Sequence, residues 1–362
     1  MMNIKKTDRK NAGRGATGSL LTAALLICLA AAHAFAGGQK AGENAPGAQP
    51  SGHPGGLSPQ SRQGTVPPVA EAPPEGKLLF WHTETRNGGQ YLIDLEGNDV
   101  PLRKYGRMVI LSPGAVETLY MIGGEASIAA VMDSRDSIPP VEKTRLLKTV
   151  GNSARPNLEA IIAAEPDLVL GNAMNGAFIA DLRDRGLNAL IHGANSVEDI
   201  FNGTIILGRL SGREEAAAAL TGQDRAKLSA LKTELEQRPL HLKGAILYSA
   251  NPPMAFTGDS LAGEVLELLG VENIAAGLPA AQPILSTEYL LVQNPDFLFG
   301  SMMLAKPEDI LAVDSAVKNT RAGREGNLAV VPSRFFLRPS PSLFDGILEL
   351  RETLKSYEKN GL

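Results

Sequence analysis

Glu159-Ala-Ile-Ile-Ala-Ala-Glu-Pro-Asp-Leu-Val-Leu-Gly171 and Glu288-Tyr-Leu-Leu-Val-Gln-Asn-Pro-Asp-Phe-Leu-Phe-Gly300 are one pattern written twice, offset by 288 − 159 = 129 residues. Each copy opens with a short helix-forming run. Proline then blocks continuation of the helix, aspartate starts a turn, and a brief apolar strand ends on glycine. One such unit is common in α/β proteins, whereas two in the same order imply two similar lobes. A second echo precedes the first: Glu117-Thr-Leu-Tyr-Met-Ile-Gly123 matches Glu264-Val-Leu-Glu-Leu-Leu-Gly270, with 264 − 117 = 147.

Outward from these units, strands and helices alternate. In the first half, strands are expected at Met108–Leu111, Ile128–Val131, Leu168–Leu170 and Ala189–Ile191, and helices at 117–122, 158–164, 178–185 and 197–210. The alternation restarts with strands at Ala245–Tyr248, Phe297–Phe299 and Leu328–Val331 and helices at 261–269, 287–292 and 342–357. Between the halves, Ser211-Gly-Arg-Glu214 reads as a capping box, and helix formers run from there to Gln237, with Pro239 as the stop. Roughly 25 residues at 1.5 Å each span about 38 Å, enough to bridge two lobes. The expected fold class is α/β, with two similar lobes, each a mainly parallel central sheet flanked by helices, joined by one long rigid helix. Ligands in open α/β sheets sit outside the carboxyl ends of the strands, so such lobes would form a cleft there.

The N-terminal region has a different character. Lys5, Lys6, Arg9, Lys10 and Arg14 precede an apolar stretch from Ser19 to Ala32, and Ala34-Phe-Ala36 follows as a small-x-small site. That order reads as a secretory signal peptide over 1–36 cleaved after Ala36, as against a retained anchor. Cys28 is the sole cysteine. Lipidation there is the minority reading, because Ile27 stands where a lipoprotein box needs a small side chain. Residues 37–76, rich in Gly, Pro, Ala, Ser and Gln, read as a disordered tether. The remaining organisation is a hairpin and N-lobe over 77–211, with Asn87-Gly88-Gly89 as the hairpin turn, then the inter-lobe helix over 212–238 and a C-lobe over 239–362.

Composition narrows the function. A net charge of −4 and 5% aromatic residues give neither a basic footprint nor stacking platforms for nucleic acid. No Gly-x-Ser-x-Gly elbow, His-Glu-x-x-His, Walker loop or Gly-x-Gly-x-x-Gly fingerprint occurs. Beyond the signal and tether, only His82, His192 and His241 remain, none in metal-ligand spacing with another. No catalytic residue, metal site or cofactor is assigned. His192, following a strand, is the best single histidine for a polar contact in the cleft.

The stretches Arg107-Met-Val-Ile-Leu-Ser-Pro-Gly-Ala-Val-Glu-Thr-Leu119, Asn157-Leu-Glu159, Asn251-Pro-Pro-Met-Ala-Phe-Thr-Gly258, Leu266-Glu-Leu-Leu-Gly-Val-Glu-Asn-Ile274 and Arg338-Pro-Ser-Pro341 carry a resemblance. The chain resembles the cobalamin- and siderophore-type periplasmic binding proteins of ABC importers, whose lobes are joined by a rigid helix. The resemblance covers about 91–354. It implies a monomer that captures a metal chelate and delivers it to an ABC permease with its ATPase subunits. It also implies that Glu159 and Glu288 dock on permease arginines. Their first-turn positions agree, although a first-turn glutamate also complements a helix dipole. Glu117 and Glu264 form a rival matched pair, expected to be structural.

Strand-end positions expected to line the cleft are Ser112, Pro113, Gly114, Asn172, Ala173, Met174, Tyr248, Met254, Phe256, Ser301, Met302 and Arg338. By the resemblance, Arg338 aligns with a cleft arginine of corrinoid binders. Those binders carry tryptophans near Ser153, Asn172 and Gln282, whereas the sole tryptophan here is Trp81, in the hairpin. A ferric siderophore or related iron complex is therefore the expected cargo, ahead of a corrinoid, haem or a metal oxyanion bound by the same fold. Outside transport, the same sequence would suit a sensory binding protein or, less well, a metal-inserting enzyme. Methionines 174, 254, 302 and 303 could supply soft contacts in place of stacking. Relative to the family, Asn319–Asn327 should be an enlarged loop.

Overall fold

The computed structural model describes residues 79–152, 155–279 and 283–359. The expected signal peptide, the tether and Cys28 lie outside the described residues.

The chain enters through a three-stranded antiparallel sheet, β1 (Trp81–Arg86), β2 (Gly89–Asp94) and β3 (Asp99–Pro101). Asn87 and Gly88 both have positive φ, 51° and 80°, which matches the right-handed twist of the hairpin. This sheet is pinned to the lobe behind it. The Trp81 indole N–H donates to the Ile191 carbonyl at 2.7 Å, and the Phe80 amide donates to the Asp199 carboxylate at 2.6 Å. Asp94, also buried, accepts from the amides of Glu96, Asn98 and Ile191.

The N-lobe follows as β4 (Met108–Ile110), α1 (Pro113–Met121), β5 (Ile128–Val131), α2 (Val141–Thr144), β6 (Gly151–Asn152), β7 (Arg155–Pro156), α3 (Leu158–Ala163), β8 (Leu168–Gly171), α4 (Gly176–Asp184) and β9 (Ala189–Ile191). Its sheet runs β5-β4-β8-β9, parallel throughout, and all of β8 and β9 is buried. Strands covered on both faces read as continuous apolar runs, which is why their positions were plain in the sequence.

Two helices come next, α5 (Val197–Ser211) and α6 (Glu214–Gln237). The C-lobe comprises β10 (Lys243–Ala250), β11 (Pro253–Ala255), α7 (Leu261–Leu268), β12 (Glu272–Asn273), α8 (Thr287–Gln293), β13 (Phe297–Gly300), α9 (Pro307–Val313), α10 (Arg321–Glu325), β14 (Leu328–Val330), α11 (Arg334–Leu337) and α12 (Ser342–Lys359). Both β12 and β13 pair in parallel with β10, and β14 with β13. The order β12-β10-β13-β14 thus reproduces β5-β4-β8-β9, and β11 is an antiparallel addition on β10. The written repeat is a topological one.

The repeated Pro-Asp does more than start a turn. Asp167 accepts from the Gly106 and Arg107 amides at 2.7 and 3.0 Å, and Asp296 accepts from the Lys243 amide at 2.9 Å. Each aspartate therefore clamps the entry of the first strand of its own sheet. In the C-lobe, the stretch expected as an enlarged loop folds into α10. Its Thr320 cap is fully buried, its Ala322 amide donates to the Pro295 carbonyl, and Arg321 pairs with Asp296 at 2.9 Å.

Between the lobes, the capping-box reading of Ser211 does not hold. Ser211 ends α5, where its hydroxyl donates to the Leu207 carbonyl, and Gly212 at φ 70° is the left-handed C-cap. The sequence Ser-Gly-Arg is the tight corner of a helical hairpin. Both arms cross between lobes. Along α5, Val197, Ile200 and Phe201 join the C-lobe core, where Phe201 stacks on Phe344 at 4.6 Å, whereas Ile206, Leu207 and Leu210 join the N-lobe core. Along α6, Ala217 belongs to the N-lobe core and Leu231 to that of the C-lobe. The long helix expected between the lobes is present, with α5 alongside it.

Candidate functional site

The carboxyl ends of the two sheets are linked by the segment after α11, which runs on from β14 to the end of β4. Its backbone lies on the first turn of α1, just beyond the end of β4: a Cβ on Gly114 would stand 2.4 Å from the Pro339 carbonyl oxygen. On one side of this contact, the Arg338 guanidinium donates to the Ser137 carbonyl and, at 2.6 Å, to its hydroxyl. On the other, the Ser340 hydroxyl donates to buried Glu117 at 3.1 Å. Burial pushes the Arg338 guanidinium below its ordinary pKa, and the nearby Glu117 carboxylate works against that shift. Arg338–Ser340 is thus a strap from the C-lobe to the N-lobe at the carboxyl end of β4.

The matched pair Glu117 and Glu264 serves these crossings. Glu117 receives the strap, and Glu264 accepts from the Val197 amide at 2.9 Å, capping the start of α5.

Several expected cleft residues are buried in the walls. Ser112 is closed in against His192, with 2.8 Å between Oγ and Nδ1. Burial lowers the His192 pKa to about 4, and Trp81 meets its ring edge-on at 5.1 Å. His192 therefore locks the end of β4 to the end of β9 and to the hairpin. Gly114 is covered by Pro339, Met254 is packed beneath the surface, and Ser301 is fully buried with its hydroxyl unpartnered among the described residues. Pro113, Tyr248, Phe256 and Met302 are half-buried. Tyr248, Phe256 and buried Phe336 form an aromatic ladder at the C-lobe rim, with centroid spacings of 4.9 and 5.7 Å.

The loops after the third strand of each sheet correspond closely. Asn172–Asn175 closes through Asn175 N–H to Asn172 O at 2.8 Å, and Ser301–Leu304 through Leu304 N–H to Ser301 O at 3.1 Å. The third residue of each turn is a methionine, Met174 at 39% exposure and Met303 at 52%. Asn172 stiffens its turn by accepting from the Met174 amide and donating to the Leu111 carbonyl, both at 2.9 Å. Ser153 and Gln282 lie outside the described residues.

A shallow concavity of about 410 Å³ lies elsewhere, by His241, Lys243, Glu272 and Asp296, at the amino ends of β10 and β13. Its position opposite the carboxyl ends of the strands sets it apart from the cleft. Among the described residues no group of three or more His, Cys, Asp or Glu could hold a metal ion.

Glu159 and Glu288 are exposed in the first turns of α3 and α8, behind the caps Asn157 and Ser286. Neither side chain is engaged by another among the described residues. One turn on, each helix bares an aliphatic residue to almost the same extent, Ile162 at 50% and Leu291 at 47%. The residue before each is fully buried, Ile161 and Leu290, so both helices present the same face to solvent.

Comparison with known proteins agrees with this architecture. A family model described as periplasmic binding protein matches residues 108–335. A cobalamin-binding protein of Halobacterium salinarum is 28% identical over 254 residues, covering 66% of each chain, so just under two thirds of that relative's length is spanned. The periplasmic vitamin B12-binding protein of Vibrio cholerae superposes with a TM-score of 0.58 at 23% identity, covering 70% of this chain and 98% of that one. A periplasmic haem-binding protein from Roseiflexus sp. RS-1 gives 0.61 at 19%, covering 71% and 99%. With two lobes of one topology, a helical bridge between them and a family match over 108–335, the chain belongs to the periplasmic binding protein family.

Proposed function

We propose that this protein is the substrate-binding component of an ABC importer, that its cargo is a corrinoid, and that it acts without catalysis. The observation that carries the reading is the linked pair of strand-end rims in a chain whose curated relatives include a cobalamin-binding protein. The sequence alone pointed first to a ferric siderophore, because the expected tryptophans are missing. The relatives favour a corrinoid instead, and the rim offers other apolar partners in Tyr248, Phe256 and the exposed methionines. Arg338, already linking the lobes, is suited to exchange Ser137 for the phosphate of a corrinoid nucleotide arm.

Glu159 and Glu288 would dock the loaded protein on arginines of the permease. Their equivalent positions, their lack of side-chain partners among the described residues and the aliphatic residue beside each support this reading. Two like patches on one chain call for a permease that offers the complementary surface twice.

The test is a thermal-shift and calorimetric series with cyanocobalamin, haemin and ferrichrome, followed by transport with E159A/E288A. Cyanocobalamin at 100 times its dissociation constant should add about 2.7 kcal/mol, a rise of roughly 4–5 °C for a protein of this size. The double variant should keep that affinity and lose transport. A shift with ferrichrome alone would overturn the corrinoid reading, and normal transport by the double variant would overturn the docking assignment.

A further inference from the structure

We propose that Met174 and Met303 are a matched pair of jaws, one from each lobe, that close on the opposite faces of a single flat macrocyclic chelate. The pairing rests on the corrinoid reading above and adds the residues that select for shape.

The repeat relates the two residues directly, since 303 − 174 = 129, the offset of the Pro-Asp units. Each is the third residue of a four-residue turn closed by the same backbone hydrogen bond, Asn175 to Asn172 and Leu304 to Ser301. Each turn follows the third strand of its sheet, β8 or β13, and so stands at a carboxyl end, where the cleft is. The glycine before each turn holds it down on its lobe. A Cβ on Gly171 would lie 2.7 Å from the Ile179 side chain, and one on Gly300 would lie 2.8 Å from the Leu304 Cβ and 2.9 Å from the Ile310 side chain. The loops are seated on α4 and α9, so the methionines are presented by fixed supports.

Exposure at a strand carboxyl end sets them apart. Met108, Met132 and Met254 are buried, whereas the paired methionines present 39% and 52% of their surface. A thioether on an unbranched chain is polarizable and adapts its shape, and sulfur packs favourably against conjugated rings. Two such groups approaching from opposite lobes fit an object with two broad faces and a conjugated rim. A hexadentate siderophore wrapped around iron offers no such pair of faces. The methionines thereby take the place of the tryptophan that the resemblance would put near Asn172.

The test is calorimetric titration of the parent, M174A, M303A, M174A/M303A and M174L/M303L with cyanocobalamin, and of the parent with haemin and with ferrichrome. M121A serves as control, because Met121 is also exposed (42%) but ends α1, away from the strand carboxyl ends. Each single alanine should weaken cyanocobalamin binding about ten-fold, the two agreeing within about three-fold, and the double should lose about a hundred-fold. The leucine pair, similar in volume and apolarity, should stay within about three-fold of the parent. M121A should bind as the parent does. Single alanines within about two-fold of the parent, or a loss at one position only, would overturn the pairing and leave the corrinoid reading standing. A parent that ignores cyanocobalamin and haemin, or prefers ferrichrome, would sink both. Circular dichroism melts of each variant separate lost binding from lost folding.

Discussion

His192 should make this protein less stable in mild acid by a calculable amount. Its ring is buried at the end of β9, between the Ser112 hydroxyl and the Trp81 indole, and burial takes its pKa from 6.5 to about 4. Above pH 6.5 the ring is neutral in the folded and unfolded chains alike, so it adds no pH dependence. As pH falls from 6.5 towards 4, the unfolded chain takes up a proton that the folded chain refuses, and stability drops. Below about pH 4 both forms are protonated and the slope ends. At about 1.36 kcal/mol per pH unit, the full window is worth about 3 kcal/mol. Urea unfolding followed by the fluorescence of Trp81, the only tryptophan, reads this directly. Carboxylates also begin to titrate near pH 4.5, so the useful quantity is a difference of differences. Between pH 7.5 and 4.5 the parent should lose about 2–3 kcal/mol more than His192→Gln does. Parallel losses in the two proteins would refute the reasoning, as would an NMR titration of the His192 ring with a midpoint near 6.5.

Gly114→Ala places a methyl 2.4 Å from the Pro339 carbonyl oxygen, so the strap must lift from α1; a loss of about 1–3 kcal/mol and faster hydrogen exchange at 133–137 are expected. An unchanged melt with unchanged exchange would mean that the strap does not bear on α1. Gly222, exposed within α6 with open space around its Cα, is the opposite case. Gly222→Ala should raise stability by about 0.5–1 kcal/mol in chemical denaturation, and a destabilised variant would contradict the helix seen there.

Much of the fold was legible because the two parallel sheets are buried on both faces. Leu168–Gly171 and Phe297–Gly300 are apolar at every position, so strand, proline stop and repeat could be read together. What was hidden depended on partners distant in sequence. Ser211 carries the composition of a cap, yet it ends α5, and only packing against both lobes decides that. The two-residue strand β12 is too short for a periodicity to mark. At the site, strand-end positions were identified without any means of telling wall from rim. Ser112 and Ser301 read alike as small polar residues after a strand, yet one is bonded to His192 and the other has no partner among the described residues. The strap through Pro339 and Ser340 had no local signal beyond its prolines. The equivalence of Met174 and Met303 was available from the 129-residue offset, but it gained meaning only when both turns proved to close the same way.

The α5–α6 hairpin has a mechanical consequence. Two helices side by side, fixed at each end by apolar side chains in separate cores, resist bending far more than one helix or a pair of extended strands. The assembly behaves as a gauge bar, and the lobes can rock by small angles but cannot swing apart. The distance between the outer faces of α3 and α8 is then almost the same with the cleft empty or filled. A partner gripping both faces would measure a constant span, and occupancy would have to be sensed at the rim, where the strap joins the lobes.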